Sequence, residues 1–361
     1  MRHFPAVFFA ALIAGAPGVA SEAVAKAAAA RVAGFIDTTL STSSGQIRQF
    51  AFDGDAETFF ASEKHPGAAD HFTLVLDRPV SLKSVAVTTG RPGGADALRA
   101  GTLEVSADGK TFRELARFAE GAARAEGRGE AALAIRIRPG ADLGHPLAIR
   151  EVTVEADPPV EVFRYPVEIA VDVSDAPEMK EWAEKVARIC ERAYPMINEE
   201  LKSPGFKPRN LINMRLRNDY RGVAATGGGR ITGSVRFFKE HPDDVGAMVH
   251  ETTHVVQAYR GRGNPGWLVE GVADYVRFFR YEPGKLRPLS RDRARYDGSY
   301  KVTAAFLAYL TEKYDREIVL KLNRLMREGQ YREEAFQELT GKTLKDLGEE
   351  WRGSLKRIQR F

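Results

Sequence analysis

The sequence predicts a multi-domain protein in which an all-β sandwich is followed by an α+β domain, mainly helical with a small sheet. Two observations predict this fold class. Apolar residues alternate with a period of two as far as Asp157, and their spacing becomes helical after Pro159. The chain has 361 residues, of which 43% are hydrophobic and 28% charged, as in ordinary globular proteins. We therefore place the two domains at 35–157 and 160–358, on either side of a stiff Asp-Pro-Pro break.

The first 20 residues have the pattern of a secretory signal peptide. Arg2 supplies the positive start, 4–16 are mainly apolar, and Gly18-Val19-Ala20 forms a cleavage site with small residues at its first and third positions. We expect a secreted or periplasmic protein without stable membrane insertion after cleavage. An uncleaved anchor is the alternative, which the shortness of the apolar run disfavours. Residues 21–34 are predicted to be a linker.

Cysteine usage and charge exclude several classes of protein. The chain has one cysteine, Cys190, which excludes an intramolecular disulfide framework and a cysteine-based zinc cluster. A transition metal would therefore need His, Asp or Glu ligands. Lys and Arg number 53 against 49 Asp and Glu, with both signs mixed along the chain. A nucleic-acid surface needs a concentrated basic stripe, so we predict no nucleic-acid partner.

The sandwich prediction depends on short alternating strands separated by turn signals. The turns are Asp53-Gly54, Pro92-Gly93-Gly94, Asp108-Gly109 and Pro139-Gly140. The alternating apolar sets are Phe72, Leu74 and Leu76; Val85 and Val87; Leu103 and Val105; Ile135 and Ile137; and Val152 and Val154. Short strands joined by tight turns are typical of antiparallel sandwiches.

Three stretches of this half carry a family resemblance. They are 51–55 with Thr58 close behind, 101–109, and 150–154. In these stretches the chain resembles the coagulation factor five/eight type C domain, a discoidin-like, galactose-binding-like jelly roll. The resemblance implies a glycan or cell-surface ligand and a structural Ca²⁺ ion near Asp53-Gly54-Asp55, whose oxygens suit calcium. The alternative is a turn in which Asp53 and Asp55 only cap backbone groups.

The C-terminal half has helical apolar spacing. A stripe from 179 to 193 includes Cys190, which we expect to be a buried hydrophobe rather than a nucleophile. Further helices are predicted at 302–314, 317–327 and 333–339, with a last helix that runs through Trp351.

His250-Glu251-Thr252-Thr253-His254 is an HExxH motif within an apolar helical pattern. Residues four apart lie on one helix face, so His250 and His254 can bind one metal ion, for which the motif predicts Zn²⁺. Glu251 lies beside them, where it can act on a water molecule. The alternative is two partly exposed helical histidines without a metal.

A third ligand is predicted in the apolar segment 265–275. Glu270 and Asp274 lie four apart, and two carboxylates in such a segment are costly to bury unless they are paired or bind a metal. Their ExxxD spacing is that of thermolysin-like gluzincins. In that arrangement Glu270 binds Zn²⁺ and Asp274 accepts the second ring N–H of a ligating histidine. The alternative assigns the third ligand to Asp274.

Four stretches of the C-terminal half carry a second and more specific resemblance: 250–257, 270–277, 300–307, and 322–323 with 339–342. Through them the chain resembles the basic secretory protein family, zinc metallopeptidase-like proteins known from plants and bacteria. The resemblance implies a gluzincin-type, zincin-like domain that hydrolyses protein or peptide substrates. Glu251 would be the general base that acts on a zinc-activated water.

Two other functions stay open. One is a secreted carbohydrate- or surface-binding protein with a structural or vestigial zinc site. An intact Glu251 disfavours it, since a structural site needs no general base. The other is a zinc hydrolase that acts on a non-peptide amide.

Two further elements are predicted close to the metal. Residues 230–237 are predicted to form an edge strand that offers backbone groups to an extended substrate, with an ordinary core strand as the alternative. Tyr300 is a candidate donor to the developing oxyanion. Tyr296 competes for that role, and a merely packed aromatic is the alternative for either tyrosine.

Overall fold

The computed structural model describes residues 31–259, 263–298 and 300–355. The predicted signal peptide at 1–20 and linker residues 21–30 lie outside the described residues. The chain divides into two compact units. Among the described residues, the first comprises 31–40, His65–Leu147 and Val152–Val162, and the second comprises Ser41–Lys64, Ala148–Glu151 and the described part of 163–355.

The N-terminal half is built from antiparallel strands. They are β1 (Gly34–Thr38), β2 (Phe60–Ala61), β3 (Phe72–Thr89), β4 (Gly101–Ser106), β5 (Arg113–Arg117), β6 (Ala122–Glu126), β7 (Ala131–Pro139) and β8 (Ala148–Asp157). In the first unit β3 pairs with β1, β6 and β7, and β4 pairs with β5 and β7, all antiparallel. The predicted antiparallel sandwich is confirmed.

Strand β3 carries the period-two pattern through the first unit. Its start pairs with β1 on one side and β7 on the other. The register with β7 shifts between Val75 and Val80, and the later residues pair with β6. The predicted apolar sets on this strand are buried: Phe72, Leu74, Leu76, Val85 and Val87. Because side chains alternate across a strand, these residues place one face of β3 in the core.

Residues 41–64 and 148–151 belong to the second unit, whereas the sequence predicts them within the domain at 35–157. They contain a 3-10 helix, Arg48–Phe52, and strand β2, which pairs antiparallel with the first residues of β8. The compact units thus divide the chain at other positions than the predicted domain limits. Those limits, at 157 and 160, stay a prediction.

Contacts with buried carboxylates explain why residues 41–64 belong to the second unit. Glu168 accepts hydrogen bonds from Thr42 Oγ1 at 2.7 and 2.8 Å, and it lies 3.0 Å from the guanidinium of Arg48. Glu191 is also buried and pairs with Arg188 at 2.8 Å. Buried charges are costly without partners. The segment therefore supplies a cation and a hydroxyl that the second unit needs.

The second unit combines a small sheet with many helices, as predicted. Its strands are β9 (Glu168–Asp172), β10 (Leu211–Arg217), β11 (Ala224–Gly227) and β12 (Arg230–Ser234), in the order β11-β12-β10-β9. Strand β10 pairs parallel with β9 and β12, and β11 pairs antiparallel with β12.

The helices cover this sheet and form the rest of the unit. They are α1 (Lys180–Glu200), α2 (Val235–Glu240), α3 (Gly246–Gln257), α4 (Gly266–Tyr275), α5 (Tyr300–Lys313), α6 (Ile318–Arg327), α7 (Ala335–Thr340) and α8 (Leu344–Ser354). Each helix predicted from apolar spacing is present. Cys190 on α1 is buried, and burial raises the pKa of its thiol to about 12. Among the described residues, no helix combines the length and apolarity that a membrane span requires.

Candidate metal centre

Helix α3 carries the HExxH motif. Its core-facing side is apolar and buried through Met248, Val249 and Val256. The helix ends where Ala258 turns left-handed at φ 46° and donates its N–H to the His254 carbonyl at 3.3 Å. The opposite side of α3 faces a cleft, and the two histidines point into it.

Three ligand atoms converge on one point. His250 Nε2 and His254 Nε2 lie 3.0 Å apart, and Glu270 Oε2 from α4 lies 3.2 and 3.1 Å from them. In a tetrahedral zinc site with bonds of about 2.0–2.1 Å, neighbouring ligand atoms are about 3.3 Å apart. Two imidazoles and one carboxylate are also a donor set that zinc accepts. The residues therefore fit a zinc ion, and this is the one such group found among the described residues.

Asp274 contacts the far side of a histidine ring rather than the convergence point. Its Oδ1 accepts a hydrogen bond from His250 Nδ1 at 2.7 Å, and its side chain is almost fully buried. This bond leaves the Nε2 lone pair of His250 directed at the centre. The geometry supports Glu270 as the third ligand and Asp274 as the residue that orients His250.

Gln257 orients the His254 ring through Nδ1, as Asp274 orients the His250 ring. Its amide Nε2 donates to the Val269 carbonyl at 2.8 Å, so its Oε1 faces His254 Nδ1, at 2.7 Å. Nδ1 must then donate, which leaves the Nε2 lone pair of His254 free for a ligand. No role for Gln257 is predicted from the sequence. Its position three residues after His254 on the helix was the available signal.

Glu251 is buried beside the centre, with 7% of its surface exposed. Thr226 on β11 donates its hydroxyl to Glu251 Oε2 at 2.8 Å and lies 2.9 Å from the Glu251 carbonyl. One carboxylate oxygen is thus held by a hydroxyl. Thr226 is a second residue that sequence analysis missed, since only the folded sheet brings β11 to α3.

The predicted edge strand at 230–237 is wrong in two respects. Strand β12 ends at Ser234, whose hydroxyl accepts the Phe237 N–H at 3.2 Å and so caps helix α2. It is also paired on both sides, with β10 and β11. The edge is β11, and all four of its residues line the cleft.

The two candidate tyrosines have different surroundings. Tyr300 lines the cleft with 53% of its surface exposed, and its ring centroid is 6.2 Å from that of His250. The negative charge of Glu270 raises the pKa of Tyr300 above its usual value, with burial a smaller cause. Tyr296 instead packs against Trp267 and Phe306, with ring centroids 5.4 and 5.9 Å away. Only Tyr300 of the pair is brought to the centre.

Hydrogen bonds outweigh burial in setting the charges of the centre. Without a metal, burial lowers the pKa of His250, but its bonds to Asp274 and Glu270 raise it to about 9. Metal binding would displace this proton, since only a deprotonated ring nitrogen is a ligand. Burial raises the pKa of Glu270, but the bonds from His250 and His254 lower it to about 2. The cluster therefore carries a carboxylate that stays ionised over the whole physiological range.

Comparison with known proteins identifies the C-terminal half. Residues 172–351 match the model of a family described as "BSP: Peptidase of plants and bacteria". This half carries a domain of that peptidase family. The predicted resemblance is thereby confirmed. None of the curated proteins matches the chain.

Solved structures similar to the N-terminal part have low identity. The CBM32-1 and CBM32-2 domains of Clostridium perfringens ZmpB share 12% identity over 34% of each chain, with a TM-score of 0.30. CBM32-1 of a Clostridium perfringens family 31 glycoside hydrolase shares 16% over 34% of this chain and 92% of that one, at 0.30. A pectin binding carbohydrate binding module shares 19% over 35% and 91%, at 0.28. This chain thus spans about a third of the first structure's length.

Both ends of helix α3 in the peptidase-family domain are held by charged side chains. At its start, Arg277 contacts Asp244 and lies 2.7 Å from the buried carboxylate of Glu282. At its end, Arg327 donates to the Val256 carbonyl at 2.8 Å and the Gln257 carbonyl at 3.2 Å. A cation at a helix C-terminus is favoured by the helix dipole. These contacts fix the helix that carries both histidines.

The cleft in front of the centre has a volume of about 1110 Å³. Its lining includes the edge strand β11, the glycine turn at 227–229, the HExxH side chains and Tyr300. A cleft of this size exceeds what a single small ligand needs and leaves room for an extended chain.

A second group of carboxylates in this unit consists of Asp53, Asp55 and Glu151, here called the turn cluster. Asp53 Oδ1 accepts the Asp55 N–H and the Thr58 hydroxyl, both at 3.0 Å, as the turn alternative predicts. Glu151 Oε2 is buried without a hydrogen-bond partner among the described residues. Burial, together with the charges of Asp53 and Asp55, raises the pKa of Glu151 to about 7.

Proposed function

We propose that the chain is a zinc metallopeptidase that hydrolyses peptide bonds. The observation that carries the proposal is the convergence of His250 Nε2, His254 Nε2 and Glu270 Oε2 within 3.0–3.2 Å, with Glu251 beside them. Membership of the C-terminal half in a peptidase family supports the reaction class. His250, His254 and Glu270 would hold a zinc ion with three protein ligands, the number that is typical of catalytic zinc sites.

When bound, zinc would supply a Lewis acid and lower the pKa of a water molecule to about 7. Glu251 would be the base that takes a proton from the attacking water at its carboxylate and passes it to the leaving amine. The hydroxyl of Thr226, 2.8 Å from Glu251 Oε2, fixes the carboxylate so that its other oxygen stays available. Asp274 and Gln257 contact the Nδ1 atoms of the two imidazoles and so orient each Nε2 toward the centre, where it would bind the metal once it carries no proton.

An extended substrate would bind along β11. The free edge of this strand lines the cleft next to α3, and a peptide that adds to it gains backbone hydrogen bonds. Tyr300 is the proposed donor to the oxyanion, because its hydroxyl-bearing ring stands beside His250 and faces the cleft.

The test compares wild type with Glu251→Gln, and uses Glu240→Gln, an exposed carboxylate at the end of α2, as the control. We expect one zinc per chain in all three proteins. Hydrolysis of a denatured protein should fall about 100- to 10,000-fold in Glu251→Gln alone, since the base is removed while the ligands stay.

The outcomes separate the alternatives. Equal turnover by wild type and Glu251→Gln would contradict the proposal. Bound zinc without turnover in any of the proteins would favour a surface-binding protein with a structural site. Hydrolysis confined to small non-peptide amides would favour a zinc hydrolase of another specificity.

We further propose that the N-terminal sandwich binds a glycan or cell surface and that the turn cluster holds a structural Ca²⁺ ion. The sequence resemblance supports the first, and the unpartnered Glu151 oxygen beside Asp53 and Asp55 supports the second. Glycan-array binding and calcium titration by calorimetry test them separately. The signal pattern at 1–20 supports export to the periplasm or medium, and N-terminal sequencing of the mature protein tests it.

A further inference from the structure

The unpaired charged side chains that line the cleft outside the metal centre are positive. Lys207, Arg209 and Lys301 line it, and all three are exposed. Among the described residues, no carboxylate pairs with any of them. Arg277 and Asp244 also line the cleft, but they pair with each other. The remaining net charge of the lining away from the metal is therefore positive.

Arg209 lies beside the end of β11, the strand along which the substrate is proposed to bind. Tyr194 donates its hydroxyl to the Arg209 carbonyl at 2.9 Å, which anchors the backbone. The Arg209 guanidinium lies against the turn between β11 and β12. A Cβ added to Gly229 would come within 2.6 Å of the guanidinium carbon. Gly228 and Gly229 have φ of 59° and 78°, a conformation that favours glycine. The turn thus makes room for a cation beside β11.

Lys301 supplies a cation from a different element of the lining. It lies in the first turn of α5, next to Tyr300, and its ammonium is 5.2 Å from the ring centroid of Phe278. A contact with an aromatic face leaves the ammonium able to pair with a carboxylate. Two separate parts of the cleft therefore present unpaired positive charge to whatever lies in it.

We propose that this cleft selects peptides with acidic side chains close to the bond that is cut. The inference rests on the proposed peptidase function and names its substrate class. Arg209 lies against the β11–β12 turn and Lys301 lies at the start of α5, and both line the cleft. Acidic side chains of a bound peptide would pair with these cations. Arg209 can bind a carboxylate with two parallel hydrogen bonds. Positive potential in a cleft also increases the rate at which anionic substrates associate.

The experiment uses matched fluorogenic peptides that differ only by Glu or Gln on either side of the scissile bond. At low ionic strength we expect kcat/KM to be about five- to tenfold higher for the Glu peptides, since exposed ion pairs each contribute modestly. The ratio should fall toward one in 0.5 M NaCl, because salt screens exposed charges.

Variants locate the effect. Arg209→Gln and Lys301→Gln should each lower the Glu-to-Gln ratio by about two- to threefold, and the double variant should bring it close to one. Arg236→Gln is the matched control, an exposed arginine on α2 outside the cleft lining, and it should leave the ratio unchanged.

The results distinguish this inference from the proposed function. Equal hydrolysis of Glu and Gln peptides by wild type at low salt would overturn the inference and leave the peptidase standing. A preference that survives in the double variant would overturn it too. No hydrolysis of any peptide by zinc-loaded wild type would instead contradict the proposed function itself.

Discussion

Two groups of carboxylates in the second compact unit differ in how well their surroundings stabilise negative charge. In the metal centre, Glu270 Oε2 lies 3.1 and 3.2 Å from two imidazole nitrogens. In the turn cluster, Asp53 is occupied by its own turn, and Glu151 Oε2 has no partner among the described residues. Burial raises the pKa of both glutamates. The outcome is nevertheless a pKa of about 2 for Glu270 and about 7 for Glu151.

Convergence of side-chain atoms on one point, rather than acidity, distinguishes the candidate metal centre from the turn cluster. Glu270 faces the Nε2 atoms of two imidazole rings that Asp274 and Gln257 orient toward the same point. Glu151 faces two like charges, and the carboxylates of the turn cluster do not come together as a ligand group. A cation would relieve the repulsion in the second group, and the proposed Ca²⁺ ion would take further ligands from backbone carbonyl oxygens and water.

We expect the largest effect from a substitution that removes one of the three converging side-chain atoms. Glu270→Ala should lower zinc affinity at least about 1000-fold, since a ligand is removed, whereas Asp274→Ala should lower it about 10- to 100-fold as loss of an orienting partner. Competition against a chromogenic chelator measures both. Glu240→Ala is the control. A greater loss in Asp274→Ala than in Glu270→Ala would assign the third ligand to Asp274.

The next largest effect concerns the helix on which the convergence depends. Arg327→Met should lower the free energy of unfolding by about 3 kcal/mol, because it removes the Arg327 donor from the carbonyls of Val256 and Gln257 and one of two donors from the Leu201 carbonyl. Arg324→Met on the same helix removes only an exposed pair with Glu328 and should cost less than about 1 kcal/mol. Urea unfolding measures the change, and equal losses would refute this role for Arg327.

Gln257 offers a smaller and more specific test of the same centre. Gln257→Leu removes the acceptor from His254 Nδ1 and should lower zinc affinity about tenfold. Gln257→Glu keeps an acceptor toward the ring and should bind zinc more tightly than Gln257→Leu. Equal affinities for wild type and Gln257→Leu, measured by the same chelator competition, would show that the contact does not orient the ligand.

The smallest expected effect is a pH dependence from the turn cluster in the presence of a chelator. The folded state holds the Glu151 proton more tightly than the unfolded state, since its pKa is raised from 4.5 to about 7. Stability should therefore decrease as pH rises through that window, by roughly 1–2 kcal/mol for a partly solvated group. Glu151→Gln should remove this decrease in urea titrations at several pH values. An unchanged slope would mean that Glu151 does not titrate in this way.

The sequence predicted those parts of the molecule that depend on local spacing. His250 and His254 follow from their i, i+4 separation, and Glu270 with Asp274 from theirs. Thr226 was out of reach, because its contact with Glu251 crosses 25 residues and exists only once β11 lies beside α3. The edge strand was misassigned because β11, Ala-Ala-Thr-Gly, is short and made of small residues, whereas β12 has the stronger β pattern.

Strands β5 and β6 were missed for a related reason. Their residues are mostly exposed or half-buried and rich in Arg, Glu and Ala, so neither shows the apolar alternation that marked β3 and β7. Alternation marks a strand only where one face is buried. The compact units could not be foreseen either, since the charge pairs of Glu168 join residues far apart in the chain.

The pairing of Arg48 with Glu168 has a consequence for the order of events during synthesis. The two residues are separated by 120 positions, and nearly all the strands of the first unit lie between them. Arg48 is synthesised long before Glu168, so the pair can form only late in synthesis. Because the two residues are far apart in the chain, the contact also has a high entropic cost of loop closure. A C-terminal fragment that starts at residue 160 would bury Glu168 without its cation. Transfer of the C-terminal half into another protein would therefore have to include residues 41–64 as well.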